Sequence, residues 1–483
     1  MAATEHTHLV QHPARGKASP WRFILLVAGA AVGGIAVAVF YSIQSSVTTI
    51  LHATPSGVNK SYCDPSVHHE FGYIKLPHKV NDHYFYSFFE SRNDPANDPL
   101  VLWLEGGPGS SSTWTLFNMN GPCFIGDDLN STVPNPHSWT NHANVIWLDQ
   151  PTGVGFSYGD AQDDDQTEDD VGRNMFEFLR GWLKAHPSYA SRPFFVTGQS
   201  YGGHYVPAVA HYIVTHQIDL IGINLHGIVI GNGWMDATIQ CPTAVDMVAS
   251  VANQYNISLV SDAEMVQMKQ NVELVDAACR ACDATHDERT CKTVLAMWEG
   301  KLVQPMVTNP PRSVYDVREV CAPICNDHGM AKTGLYLNMP SIQAQLGVKK
   351  PYTWNNGTVA MEFSADTAMS VTHFFPPILA SGVRVLLYAG DADLMCNWIG
   401  IEVWTRALEW PGHAAYNAAP VNDLIVGGEK AGHVQSAANL TFVRVFNSGH
   451  GVPVDQPVVG LALIDRFFQN LNVDDAQEKQ VEQ

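Results

Sequence analysis

The stretch Phe194-Phe195-Val196-Thr197-Gly198-Gln199-Ser200-Tyr201-Gly202-Gly203-His204-Tyr205-Val206-Pro207 constrains this chain more than any other. An apolar, strand-like run ends at Gly198, a Gly-x-Ser-x-Gly pattern follows at once, and residues 204–215 read as a helix. Strand, sharp turn and helix are the setting in which that pattern lifts a serine onto a nucleophile elbow. The turn strains the serine backbone, so its neighbours must be small, which Gly198 and Gly202 supply. Glycine-rich turns are common, and the pattern gains force only with an acid, a histidine and an oxyanion loop in the right order.

The 483 residues are 46% hydrophobic, enough for one enlarged α/β domain or two domains. A formal charge of −20 and a pI near 5.4 speak against nucleic acid or anionic membrane surfaces as partners. Phe23 to Tyr41 is an uncharged apolar run preceded by Arg15, Lys17 and Arg22, and no Lys or Arg follows until Lys60. Its length suits a signal-anchor transmembrane helix, with residues 1–22 cytoplasmic, 42–62 a polar stalk, and the remainder luminal or extracellular. A cleaved signal peptide ending near Ala36 or Ala38 is the alternative. Nine cysteines suit an oxidising compartment. There Cys279-x-x-Cys282 with Cys291 reads as disulfide chemistry before a zinc cluster, and no metal is expected. Glycosylation sequons begin at Asn59, Asn130, Asn256, Asn356 and Asn439, all beyond the apolar run.

Along the chain, His83–Phe89 and the short apolar runs Leu100–Leu104 and Asn144–Leu148 read as strands. The second enters Glu105-Gly106-Gly107-Pro108-Gly109-Ser110, a loop able to aim backbone N–H groups at one spot, as acyl transfer requires. The acidic run Asp163 to Asp170 reads as a solvated loop rather than a cation site, its last residues favouring the start of a helix over about 169–186. After Asp236 the strand–helix alternation stops. Residues 241–350 carry six of the nine cysteines and helical patterning, so residues 237–375 are taken as a cap inserted between core segments 63–236 and 376–472, with a polar tail at 473–483. Strands return at Val383–Gly390, followed by Asp391 and Asp393, and at Phe442–Phe446, followed by Gly449-His450-Gly451-Val452-Pro453. A helix is expected over 457–470.

The order is now Ser200, Asp393 (or Asp391 on residues alone), His450, the chain order of α/β-hydrolases. Serine is a poor nucleophile, so histidine must take its proton while a carboxylate fixes the imidazole tautomer.

With these motifs in place the sequence closely resembles the serine carboxypeptidases from about Gly72 to Phe468. The carriers are Glu90 to Pro95, Trp103 to Gly109, Asp149 to Tyr158, Ser200 to Pro207, Gly231-Asn232-Gly233, Tyr388 to Asp393 and Gly449 to Pro453. The resemblance implies an α/β-hydrolase core with a largely helical, disulfide-containing cap. It implies release of single C-terminal residues from peptides or proteins, usually best at acidic pH, with no cofactor. Carried over by motif, Ser200 is the nucleophile, Asp393 the acid and His450 the base, with Gly107 and Tyr201 N–H groups as oxyanion donors.

The sequence departs from the family where Glu105 replaces Asn, Gln199 replaces Glu, Ser110 replaces Cys and Met119 replaces a further Glu. Glu105 and Gln199 stand where the family reads the substrate carboxylate, so amide and carboxyl have traded places. Ser110 and Trp354 occupy both ends of a family disulfide, which is expected absent. Cys396 is expected as a free thiol, leaving four bridges: Cys63–Cys123, Cys321–Cys325, and two among Cys241, Cys279, Cys282 and Cys291. A serine carboxypeptidase-like acyltransferase and a protective binding role in a luminal complex are the alternative functions. The expected location is the secretory pathway, the lysosome or vacuole lumen or the extracellular face, membrane-anchored or secreted; a homodimer is left open.

Overall fold

The computed structural model describes residues 62–216 and 222–474. The expected cytoplasmic tail, anchor at 23–41, most of the stalk, Asn59 and most of the polar tail lie outside them. Among the described residues no helix is long and apolar enough to cross a membrane.

Ten strands form one mixed sheet: β1 (His69–Lys75), β2 (His83–Phe89), β3 (Leu100–Leu104), β6 (Asn144–Leu148), β7 (Pro193–Gln199), β8 (Asn224–Gly231), β9 (Arg384–Gly390), β10 (Val421–Val426), β11 (Glu429–Ala437) and β12 (Leu440–Val445). A small separate hairpin supplies β4 (Cys123–Ile125) and β5 (Thr132–Pro134). The order is β1-β2-β6-β3-β7-β8-β9-β12-β11-β10. β6, β3, β7, β8, β9 and β12 run parallel to their neighbours in that block, with antiparallel strands at both edges. Central strands are covered on both faces, which is why β3 and β6 read as unbroken apolar runs and are buried at every position.

The helix Glu168–Ala185 buries Val171, Met175, Phe178, Leu179 and Trp182 on the stripe the sequence predicts. Thr167 caps it by accepting from Asp170 N–H, and Asp169 and Asp170 sit favourably in its first turn. The acidic run before it is not the solvated loop expected. Asp163, Asp165 and Glu168 are buried. Asp163 accepts from the backbone N–H groups of Val80 and Asn81, and Asp165 pairs with Lys79 at 2.6 Å, so these carboxylates bind the chain to itself.

Between β8 and β9 the chain leaves the sheet and builds helices, among them Ala237–Thr243, Met247–Tyr255, Asp262–Thr285 and Glu288–Trp298. The hairpin β10–β11 is absent from the sequence reading. β10, at the sheet edge, offers only the short apolar run Leu424–Val426 after an exposed first half, and β11 mixes charged, polar and small residues, so neither a longer apolar run nor a clean alternation marks them.

Candidate active site

Ser200, Asp393 and His450 all leave the carboxyl ends of parallel strands, β7, β9 and β12. This is the edge where open α/β sheets place their sites. Ser200 has φ of 61°, the strained turn required to lift its side chain between β7 and the helix Gly202–Thr215. Its N–H donates to Gly231 O at 3.1 Å, and its carbonyl accepts from Trp234 N–H at 2.9 Å, which fixes the turn from β8. A Cβ on Gly198 would lie 2.5 Å from Leu104 O, so only glycine lets β7 pass β3 here.

His450 Nδ1 is 2.6 Å from Asp393 Oδ2. The same oxygen accepts from Asn232 Nδ2 at 2.8 Å and Cys396 N–H at 3.3 Å, while Oδ1 accepts from Met395 N–H at 3.0 Å. Burial disfavours the imidazolium, but Asp393 and then Glu105 raise the His450 pKa overall above its usual value. Asp391, the other acid open on sequence, turns away to Arg444 at 3.2 Å and to the Tyr255 hydroxyl. Among the described hydrogen bonds none joins Ser200 Oγ to His450. The hydroxyl lies against the Cys396 thiol, and such nucleophile–base contacts often close only with substrate bound.

Gly106 and Gly107 pack directly on the elbow. A Cβ on Gly106 would be 2.4 Å from Tyr201 N, so the loop that carries Gly107 N–H runs beside Tyr201 N–H. Gly107 has φ of 113°, a conformation that favours glycine. Buried Asp149 braces this loop by accepting from Ser111 Oγ at 2.6 Å and from Thr113 N–H and Oγ1, both at 3.0 Å. Where the family disulfide is expected absent, Asn355 Nδ2 donates to Ser110 Oγ at 3.0 Å and Ser111 N–H donates to Trp354 O at 2.9 Å. Hydrogen bonds thus join loop to cap at that seam.

Leu104 pairs with Gly198, so Glu105 and Gln199 emerge side by side from β3 and β7. Both are buried, and Glu105 Oε2 and Gln199 Oε1 have no hydrogen-bond partner. Burial pushes the Glu105 pKa up to about 8, against smaller opposing effects from His450 and nearby hydrogen bonds. Met119 is buried and supplies no charge.

Three contributors escaped the sequence reading. Asn232, φ 42° between two glycines, holds Asp393 and accepts Gly390 N–H through Oδ1. Asparagine tolerates that left-handed backbone, and Gly-Asn-Gly at a strand end was the available signal. The inserted segment around Tyr315 joins the loops that carry Asp393 and His450: Tyr315 O accepts His450 N–H at 2.8 Å, Val314 O accepts Leu394 N–H at 3.1 Å, and Val317 N–H donates to Ala392 O at 3.0 Å. The Tyr315 ring lies 5.1 Å from the His450 ring. Asp149 is the third, its motif visible but its bracing role not.

Disulfides join Cys63–Cys123, Cys282–Cys291 and Cys321–Cys325, and Cys396 is unpaired and buried. The expectation of four bridges is corrected, because Cys241 and Cys279 keep their thiols. Both thiols are buried, and burial, followed by contact with Cys279, raises the Cys241 pKa. Of the sequons, Asn130, Asn256 and Asn439 are exposed. Asn356 departs from the glycosylation expectation: it is half-buried, its Nδ2 donates to Gly153 O at 3.3 Å, and its Oδ1 caps the following helix.

Comparison with known proteins agrees with this geometry. A serine carboxypeptidase family profile matches residues 58–470. Carboxypeptidase Y homolog A of Arthroderma otae is 36% identical over 416 residues, covering 84% of this chain and 75% of the relative. A vacuolar serine-type carboxypeptidase of Saccharomyces cerevisiae is 35% identical over 404 residues, covering 81% and 78%. The crystal structure of Kex1, a prohormone-processing carboxypeptidase from Saccharomyces cerevisiae, superimposes with a TM-score of 0.73 at 24% identity, covering 84% of this chain and 92% of that one, a likeness of fold. The chain therefore belongs to the serine carboxypeptidase family and is a serine-type carboxypeptidase of α/β-hydrolase fold with a helical insertion.

Proposed function

We propose that the enzyme releases single C-terminal residues from peptides through an acyl-enzyme on Ser200, and that Glu105 and Gln199 read the free carboxylate. Ser200 Oγ attacks the scissile carbonyl while His450 takes its proton and later delivers it to the leaving amine. Asp393 fixes the His450 tautomer and stabilises the imidazolium. Gly107 and Tyr201 N–H groups receive the developing oxyanion. The observation that carries this reading is the 2.6 Å contact of His450 with Asp393 beside a serine held at φ 61°.

Glu105 enters protonated. An ionised carboxylate would repel the substrate's own, whereas a carboxyl with a pKa of about 8 can donate to it, and Gln199 can donate through its amide at any pH. Protonation of Glu105 also removes one of the charges that raise the His450 pKa, leaving the base freer at lower pH.

The three disulfides, the exposed sequons and a vacuolar relative support a place in the secretory pathway or vacuole. The apolar run at 23–41 supports a membrane anchor there, and residues 237–375 are read as the cap. Mass-spectrometric sequencing of a digested peptide tests the activity. We expect a ladder shortening one residue at a time from the C-terminus, together with fluorophosphonate labelling of Ser200. Ser200→Ala should lose both, with turnover down by about 10⁶-fold. A Ser200→Ala enzyme with unchanged turnover would exclude the assignment.

A further inference from the structure

The helices Glu168–Ala185 and Gly202–Thr215 begin next to the nucleophile turn, where the cap returns at Asp366. Glu168, the first residue of its helix, is 4% exposed, and its carboxyl faces the Asp366 carboxyl and the Tyr201 hydroxyl. His204 is fully buried; its Nδ1 lies 3.2 Å from Asp366 Oδ2, and its Nε2 has no partner. Asp366 Oδ2 also accepts from the Tyr201 hydroxyl at 2.8 Å, and the Tyr205 hydroxyl is buried without a partner. One donor atom each from Glu168, His204 and Asp366 lies within 4.8 Å of the other two.

Such an arrangement is costly when left to itself. Glu168 and Asp366 bring two carboxyl groups together where Glu168 is almost wholly removed from water. A single proton between Glu168 and Asp366 would relieve the repulsion but leave the buried His204 Nε2 unsatisfied. A divalent cation balances both carboxylates and gives the buried atoms a partner.

We propose that Glu168, His204 and Asp366 form a binding site for a divalent transition cation, which ties the cap to the turn carrying Ser200 and Tyr201. One imidazole with two carboxylates suits Zn²⁺, with a further position open to water. Calcium and magnesium favour all-oxygen sets. The ion holds structure and touches no reacting atom, so the site stands apart from the Asp393–Cys396–His450 group, which could also gather a metal. Protons compete for the same ligands, so binding weakens as pH falls.

The full-length enzyme, stripped with a chelator and titrated with ZnCl₂ at neutral pH, should retain one more zinc per chain than Glu168→Gln. Its unfolding midpoint should rise by roughly 4 °C at a hundredfold excess over Kd. Asp366→Asn repeats the test should Glu168→Gln fail to fold. Cobalt loaded into the wild-type enzyme should give d–d bands without thiolate-to-metal charge transfer. Retention of no zinc, or equal zinc and equal midpoint shift in both folded variants, would mark any bound ion as adventitious and overturn the proposal. A thiolate band in the cobalt spectrum would place the metal at Cys396 and overturn it equally.

Discussion

Asp393 and Glu105 are two buried acids at neighbouring places in one active site, and their surroundings differ sharply. Both oxygens of Asp393 are engaged, by His450, Asn232 and two backbone N–H groups, before any ligand arrives. Glu105 Oε2 and Gln199 Oε1 are buried with nothing to bond. The group around Asp393 is preorganised; the pair we propose as the carboxylate reader has buried oxygens that lack partners. Burial pushes Glu105 toward its neutral acid.

Substitutions can break that comparison at either end. Asp393→Asn removes the acceptor that sets the His450 tautomer and should lower kcat by roughly 10⁴-fold for peptide and ester substrates alike. A loss confined to peptides would mean that Asp393 serves recognition rather than reaction.

Glu105→Gln should do the reverse. Below pH 8 both side chains are neutral donors, and kcat/KM for peptides should stay within about threefold of wild type. Above that, the wild-type rate for peptide acids should fall about tenfold per pH unit as Glu105 ionises, while the variant holds its rate. Esters without a free carboxylate should be little affected. Stability carries the same sign. An unfolded Glu105 ionises near 4.5, whereas the folded one keeps its proton to about 8, so wild-type stability falls as pH rises through that window. Glu105→Gln should flatten this slope in denaturant titrations; an unchanged slope would show Glu105 ionised in the fold.

The smallest effect is expected at the loop–cap seam. Ser110→Ala loses the bond from Asn355, costing about 0.5–1.5 kcal/mol of stability with little change in kcat. A large kcat loss would move that seam into the preorganised region.

The sequence disclosed most where local chemistry and burial coincide. The elbow was legible because φ 61° at Ser200 demands small neighbours, and the central strands because both their faces are covered. The hairpin β10–β11, at one side of the sheet and only partly buried, carries no such mark. The burial of Asp163, Asp165 and Glu168 was hidden because an acidic run reads as solvated until its partners, Lys79 and the backbone of Val80 and Asn81, arrive from distant chain. Asn232 and Tyr315 act by contacts that only the folded chain creates. The Cys241–Cys279 pair was misjudged because residue counting sees cysteines but not which of them the folded helices bring into a bridge.

The claim that this active site reads a free carboxylate through an exchanged acid–amide pair is tested most directly by one ratio. It is kcat/KM for a peptide acid over that for the same peptide as its C-terminal amide, measured from pH 4 to 9. The account predicts a strong preference for the acid at low pH that collapses as Glu105 loses its proton near pH 8. Equal rates for acid and amide across the range would contradict it.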